Sequence, residues 1–98
     1  MRKYEALVIV DARLEEGDIQ KAVDRFLRAV ADSGGEVHGV DRWGVRRFTY
    51  QINYQKEKHN EGYYFVTNFR APEAAVDQLR AMLQVSDEFI RGKIVQPA

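Results

Sequence analysis

The chain has 98 residues, 45% of them hydrophobic and 31% charged, a composition that suits one folded domain and leaves no room for a second core. Fifteen Lys and Arg balance fifteen Asp and Glu, so attraction for a polyanion has to come from local basic patches rather than from net charge. The absence of cysteine excludes a disulfide framework, thiolate metal sites and a cysteine nucleophile, and agrees with a cytosolic protein.

Residues 4–10 are compact and β-branched, which predicts a strand; their apolar run stops at Asp11, too soon for a signal-peptide core or a membrane span. Residues 11–17 read as a turn. From Ile19 the spacing becomes helical, with Ile19, Ala22, Val23, Phe26, Leu27 and Val30 on one face. Asp18 is the expected N-cap, and Gly34-Gly35 supplies a residue able to turn left-handed past the last turn. Residues 36–54 form a second extended region. Val40, Phe48, Tyr50 and Ile52 share one parity there, which predicts Phe48 and Tyr50 in the core. Val37 is out of phase, so a bulge is expected near Gly39, with a second irregularity at Trp43-Gly44. Residues 55–62 have the polar composition of a hairpin loop. Residues 63–70 return as a third strand, with Phe65, Thr67 and Phe69 on one face and Tyr64, Val66, Asn68 and Arg70 on the other. Pro72 fits the first position of a second helix, whose stripe is Ala75, Val76, Leu79, Met82 and Leu83. Residues 89–95 are the last strand.

The order βαββαβ predicts a single α+β domain over residues 1–98 with the ferredoxin-like arrangement. Its four-stranded antiparallel sheet runs in the order 4-1-3-2, with two helices packed on one face and the other face open. Parity then places Lys3, Glu5, Leu7 and Ile9 on the open face, together with Arg47, Thr49 and Gln51 and with Tyr64, Val66, Asn68 and Arg70. Leu7, Ile9, Tyr64 and Val66 would make an apolar patch ringed by charge, the mark of a partner site. Basic residues concentrate at Arg42, Arg46, Arg47, Lys56 and Lys58, at Arg2 and Lys3, and at Arg91 and Lys93. Lys93 is expected to approach Arg2 and Lys3 across neighbouring antiparallel strands. A neutral chain polarised in this way can present one face to phosphates. Trp43 and Tyr64 are the aromatic residues expected to be exposed.

Catalysis is poorly supported. His38 and His59 have no neighbouring Ser or Cys to suggest a triad, and Gly34-Gly35 follows a helix instead of preceding one. The βαββαβ order also resembles the acylphosphatases, but residues 11–17 are acidic and lack the glycine-rich loop of those enzymes. No cofactor, metal or small-molecule substrate is expected.

Specific residues carry a closer resemblance. Met1-Arg2-Lys3-Tyr4-Glu5, the run from Trp43-Gly44-Val45-Arg46-Arg47 to Tyr50-Gln51-Ile52, and Glu61-Gly62-Tyr63-Tyr64 resemble small-subunit ribosomal protein six of bacteria over essentially the whole chain. Phe48-Thr49 replaces the family's Leu-Ala, Gln51 stands where proline or an acidic residue is common, and Gly92 takes the place of a larger residue. The resemblance implies a ferredoxin-like, non-enzymatic protein of the small ribosomal subunit in the cytoplasm. It implies binding to the central domain of small-subunit ribosomal RNA and a heterodimer with small-subunit ribosomal protein eighteen, which together assist subunit assembly. Matching residues make Arg2, Lys3, Tyr4, Arg46 and Arg47 candidate RNA contacts, and the charge pattern adds Lys56, Lys58, Arg91 and Lys93. Leu7, Tyr64 and Val66, with Trp43, are the candidate partner-binding residues. The alternative is a stand-alone ferredoxin-like module for protein interaction or ligand sensing, without RNA binding.

Overall fold

The computed structural model describes residues 1–54 and 57–97. The elements run β1 (Arg2–Asp11), α1 (Glu16–Asp32), β2 (Glu36–Tyr54), β3 (Glu57–Ala71), α2 (Glu73–Val85) and β4 (Phe89–Val95). One four-stranded sheet has the order β2-β3-β1-β4, with every neighbouring pair antiparallel. This is the ferredoxin-like topology expected. Among the described residues, no helix is long and apolar enough to cross a membrane.

Alternation in β1 buries Tyr4, Ala6, Val8 and Val10 against the helices, and β3 answers with Tyr63, Phe65, Thr67, Phe69 and Ala71. Helix α1 contributes Ile19, Ala22, Val23, Phe26 and Val30, and α2 contributes Ala75, Val76, Leu79 and Leu83. Leu27 and Met82, expected in the stripes, are half-buried at the edge of this core. Phe26 sits edge-on to Phe65 and Phe69, with centroids 6.0 and 6.4 Å away, so one ring from α1 locks onto the central strand.

Helix α1 starts one turn earlier than its apolar spacing implied. Glu15 occupies the N-cap position, and Asp18 lies in the first turn, where its charge still complements the helix dipole. Its other end closes as predicted: Gly34 has φ +89°, its N–H bonds to Ala31 O, and Gly35 N–H reaches back to Val30 O at 3.0 Å. Pro72 is the N-cap residue of α2, one position before the place expected for it. The polar stretch expected as a loop over 55–62 is strand from Glu57 onward, where β3 already begins; residues 55 and 56 lie outside the described residues. Ile52 pairs with His59 and Tyr54 with Glu57, so β2 and β3 continue as a hairpin arm past the end of β1.

Strand β2 departs from regular pairing at three places: between Val37 and Gly39, between Arg42 and Gly44, and between Arg47 and Ile52. The first two are the anticipated irregularities, and Gly44 takes φ +83° at the second. Their consequence for side-chain direction decides the composition of the open face.

Candidate partner and nucleic-acid interface

Cα pairing places residues of the open face in rows that run across the sheet from β4 to β2. One row is Val95, Glu5, Asn68 and Gly39; the next is Lys93, Leu7, Val66 and Asp41; the third is Arg91, Ile9, Tyr64 and Gly44. Beyond them Asp11, Gly62 and Arg46 pair, and at the opposite end Lys3 pairs with Arg70. Lys93 therefore lies beside Leu7 in the middle of β1, not near Arg2 and Lys3 as the antiparallel pairing alone suggested. Two cations of β4 instead border the apolar centre along one side.

The bulge at Trp43 reorders the other side. Before it, Val40 and Arg42 pair with Thr67 and Phe65 and face the helices; Arg42 Nε donates to Gln20 Oε1 of α1 at 3.2 Å. Trp43 is the extra residue, and after it the even positions face outward. Arg46, paired with Gly62, is thus on the open face, while Arg47, paired with Glu61, is on the opposite one. Phe48 is likewise not a core residue. Its ring meets Tyr64 edge-on at 6.2 Å and approaches the space above Gly62. The side chain of Tyr50, assigned to the core on the same parity, lies outside the described residues.

What results is a small satellite cluster away from the helices. Trp43 stacks on Tyr64 with centroids 6.0 Å apart and ring planes 9° from parallel. The Arg46 guanidinium lies 5.9 Å from the Trp43 ring centroid, and Trp43 Nε1 donates to Asp41 Oδ2 at 3.1 Å. Ile9 is only 8% exposed although it points away from the main core. Leu7, Val66, Tyr64 and Phe48 are half-buried, and Trp43 remains 44% exposed. All four candidate partner-binding residues, Leu7, Trp43, Tyr64 and Val66, therefore fall within one contiguous surface. Phe48 and Asp41 belong to it as well. Only the offset created by the Trp43-Gly44 bulge, carried through to later positions, would have signalled Phe48.

The candidate RNA contacts divide by their surroundings. Lys3, Arg46, Arg47, Arg91 and Lys93 are exposed, and among the described residues none of them has a carboxylate partner. Arg2 is exposed and meets Glu73 at 3.5 Å, a solvated pair that exchanges readily. Tyr4 has to be reassigned. It is 5% exposed, its ring packs on Phe69 at 5.7 Å, and it serves the core. Lys56 lies outside the described residues, as does the side chain of Lys58.

Other charged groups are engaged in holding the fold. Arg25 of α1 donates to Ser86 Oγ at 2.7 Å, pairs with Glu88 and covers the Phe89 ring, which ties α1 to the entry of β4. Asp11 accepts Arg13 N–H at 2.9 Å and is gripped by the Arg13 guanidinium at 3.0 Å. Burial pushes the Asp11 carboxyl up, but the Arg13 hydrogen bonds and the charges of Arg13 and His59 outweigh it and hold the group below its ordinary value.

A family model for ribosomal protein S6 matches residues 3–96. The small ribosomal subunit protein bS6 of Heliobacterium modesticaldum is 40% identical over 96 residues, covering 98% of this chain and 96% of that protein. Its counterpart in Streptomyces coelicolor is 38% identical over 97 residues, covering 99% and 97%. The crystal structure of 30S ribosomal protein S6 from Thermotoga maritima is similar with a TM-score of 0.89 at 28% identity, over 98% of this chain and 87% of that one. Sequence and topology agree along nearly the whole length, so the chain belongs to the ribosomal protein S6 family, with a structural and not an enzymatic role in the small subunit of the cytoplasmic ribosome.

Proposed function

We propose that the chain binds the central domain of small-subunit ribosomal RNA as a heterodimer with small-subunit ribosomal protein eighteen, and thereby assists assembly of the subunit. The observation that carries this reading is the open face: an apolar centre of buried Ile9 and half-buried Leu7, Tyr64 and Val66, with Trp43 beside it and, along two margins, cations that have no carboxylate partner among the described residues. Apolar contact supplies most of the protein–protein energy, and the basic margins orient phosphates without reading sequence. Arg46, Arg91 and Lys93 border the protein-docking centre, so a partner seated there joins its own surface to theirs. Lys3 extends the cationic area of this face, and Arg2 and Arg47 carry positive charge onto the helix side of the same sheet.

The mechanism is scaffolding. Two proteins that bind the folded RNA junction better than the unfolded one shift the junction toward its folded form. The test is binding of the heterodimer to a central-domain RNA fragment across a salt series. Single changes Arg46→Ala, Arg47→Ala, Arg91→Ala and Lys93→Ala are each expected to weaken binding and to flatten the salt dependence by about one counterion. Unchanged affinity and slope in all four would overturn the assignment.

A further inference from the structure

Trp43 combines two properties that seldom coincide: it is 44% exposed, and it is held by three separate contacts. Tyr64 stacks against it, the Arg46 guanidinium lies over its ring, and Asp41 accepts its indole N–H at 3.1 Å. The first two contacts are broad and non-directional. The hydrogen bond from Nε1 is the directional one: it joins one atom of the ring to one atom of the carboxylate, and so selects between the two ring orientations, a half-turn apart about Cβ–Cγ, that share a stacking plane. Asp41 is itself exposed, pairs with Val66 in the row that contains Leu7, and forms no ion pair among the described residues. Its bond to Trp43 does little for the core, since neither residue belongs to it.

An exposed aromatic side chain that is already ordered loses little conformational freedom when a partner closes over it, and such residues dominate the energy of protein interfaces. We propose that Asp41 is a positioning residue for partner docking: it holds Trp43 in the orientation that the protein partner engages. The proposal rests on the docking surface proposed above, and assigns a role to a carboxylate that would repel phosphates on the face whose cations are proposed to meet them.

Trp43 is the sole tryptophan of the chain, so its fluorescence reports on this site alone. The full-length chain is compared with Asp41→Ala, Asp41→Asn and Trp43→Ala, each shown to be folded by circular dichroism. Asparagine keeps an oxygen that accepts the indole N–H while removing the charge; alanine removes both. Asp41→Ala is expected to lower the steady-state anisotropy of Trp43 and raise its quenching by acrylamide. It should also weaken binding to small-subunit ribosomal protein eighteen about fivefold, the worth of one typical hydrogen bond. Asp41→Asn is expected to stay within about twofold of the unsubstituted chain on each measure. Equal affinities for the Ala and Asn variants, or an anisotropy unmoved in Asp41→Ala, would overturn the positioning role. If Trp43→Ala itself leaves partner binding unchanged, the docking surface is wrong and the role of Asp41 falls with it.

Discussion

Gly62 is the position where the open face is most sensitive to a single methyl group. It pairs with Asp11 on one side and Arg46 on the other, in the row where the hairpin arm leaves the sheet. A Cβ there would overlap Ile9 Cγ2 and lie 2.9 Å from Phe48 Cζ. The Phe48 contact is with the tip of a ring, which can tilt. The Ile9 contact is with a methyl carried directly on a β-branched carbon, which cannot move without a rotamer change or a backbone shift. Overpacking of this kind costs about 1–3 kcal/mol, while Gly→Ala in a strand returns about 0.5–1 kcal/mol of backbone entropy. Gly62→Ala is therefore expected to destabilise by about 1–2 kcal/mol, a drop in Tm of about 5–15 °C for a domain of this size. Urea unfolding followed by circular dichroism and by Trp43 fluorescence measures it. The cause is isolated by a double-mutant cycle with Ile9→Ala, which removes the opposing methyl: the double variant should be less destabilised than the sum of the singles by about 1 kcal/mol. Additive effects, or a stabilised Gly62→Ala, would refute the close-approach argument.

Three further outcomes follow from single residues. A Cβ on Gly35 would stand 2.6 Å from Arg70 O and 3.0 Å from Val30 O, both backbone atoms, so Gly35→Ala should cost about 2–3 kcal/mol in chemical denaturation. Thr67 is fully buried beneath the helices, and its hydroxyl has no hydrogen-bond partner among the described residues; Thr67→Val should raise stability by about 1 kcal/mol, read as a higher urea midpoint. The carboxyl of Asp11 has a lowered folded-state pKa, although burial alone would raise it, because the Arg13 hydrogen bonds and the charges of Arg13 and His59 prevail. Its stabilisation is present above the ordinary carboxylate range and is lost as pH falls through the folded value. Asp11→Asn should thus be less stable than the unsubstituted chain at neutral pH, with the gap shrinking below about pH 4 in urea titrations at each pH.

The parts of the molecule legible in its sequence are those governed by one uninterrupted period. Ile19 to Val30 kept its helical spacing and packed as read, and the alternation of Phe65, Thr67 and Phe69 against Tyr64 and Val66 gave both faces of β3 correctly. Gly34-Gly35 stopped α1 because only that geometry returns Gly35 N–H to Val30 O. Strand β2 defeated parity for a definable reason: each one-residue bulge reverses the sense of alternation, two of them precede Phe48, and a third register shift follows within the same 19 residues. Phe48 was consequently assigned to the wrong face, and Arg47 was placed where Arg46 belongs. Register explains the misplacement of Lys93, since knowing that β1 and β4 are antiparallel does not fix which residues meet. The charged composition of residues 55–62 suggested a loop, yet the described part of that stretch, residues 57–62, pairs with β2 as strand, and a strand beyond the end of β1 can carry polar residues as a loop does.

The cations on β4 have two explanations that differ in what they require. β4 is an edge strand of seven residues, and charged side chains on a short edge oppose pairing with another chain whatever their sign. A phosphate contact needs positive charge specifically. β2, the other edge, is already interrupted by its three register shifts, so it does not need charge for protection. Arg91→Glu combined with Lys93→Glu separates the two roles. If edge protection is their purpose, the charge-reversed chain remains monomeric and its heterodimer binds RNA as before. If they meet phosphates, the chain still remains monomeric, but RNA affinity falls by more than it does for the paired alanine variant, because repulsion is added to lost attraction. The second outcome is expected: Arg91 and Lys93 stand in the same rows as Ile9 and Leu7, at the margin of the surface that a partner would extend, and have no carboxylate of their own among the described residues. Sedimentation velocity reads the first property and filter binding across a salt series the second. Undiminished RNA affinity in the reversed variant would leave edge protection as the role of both residues.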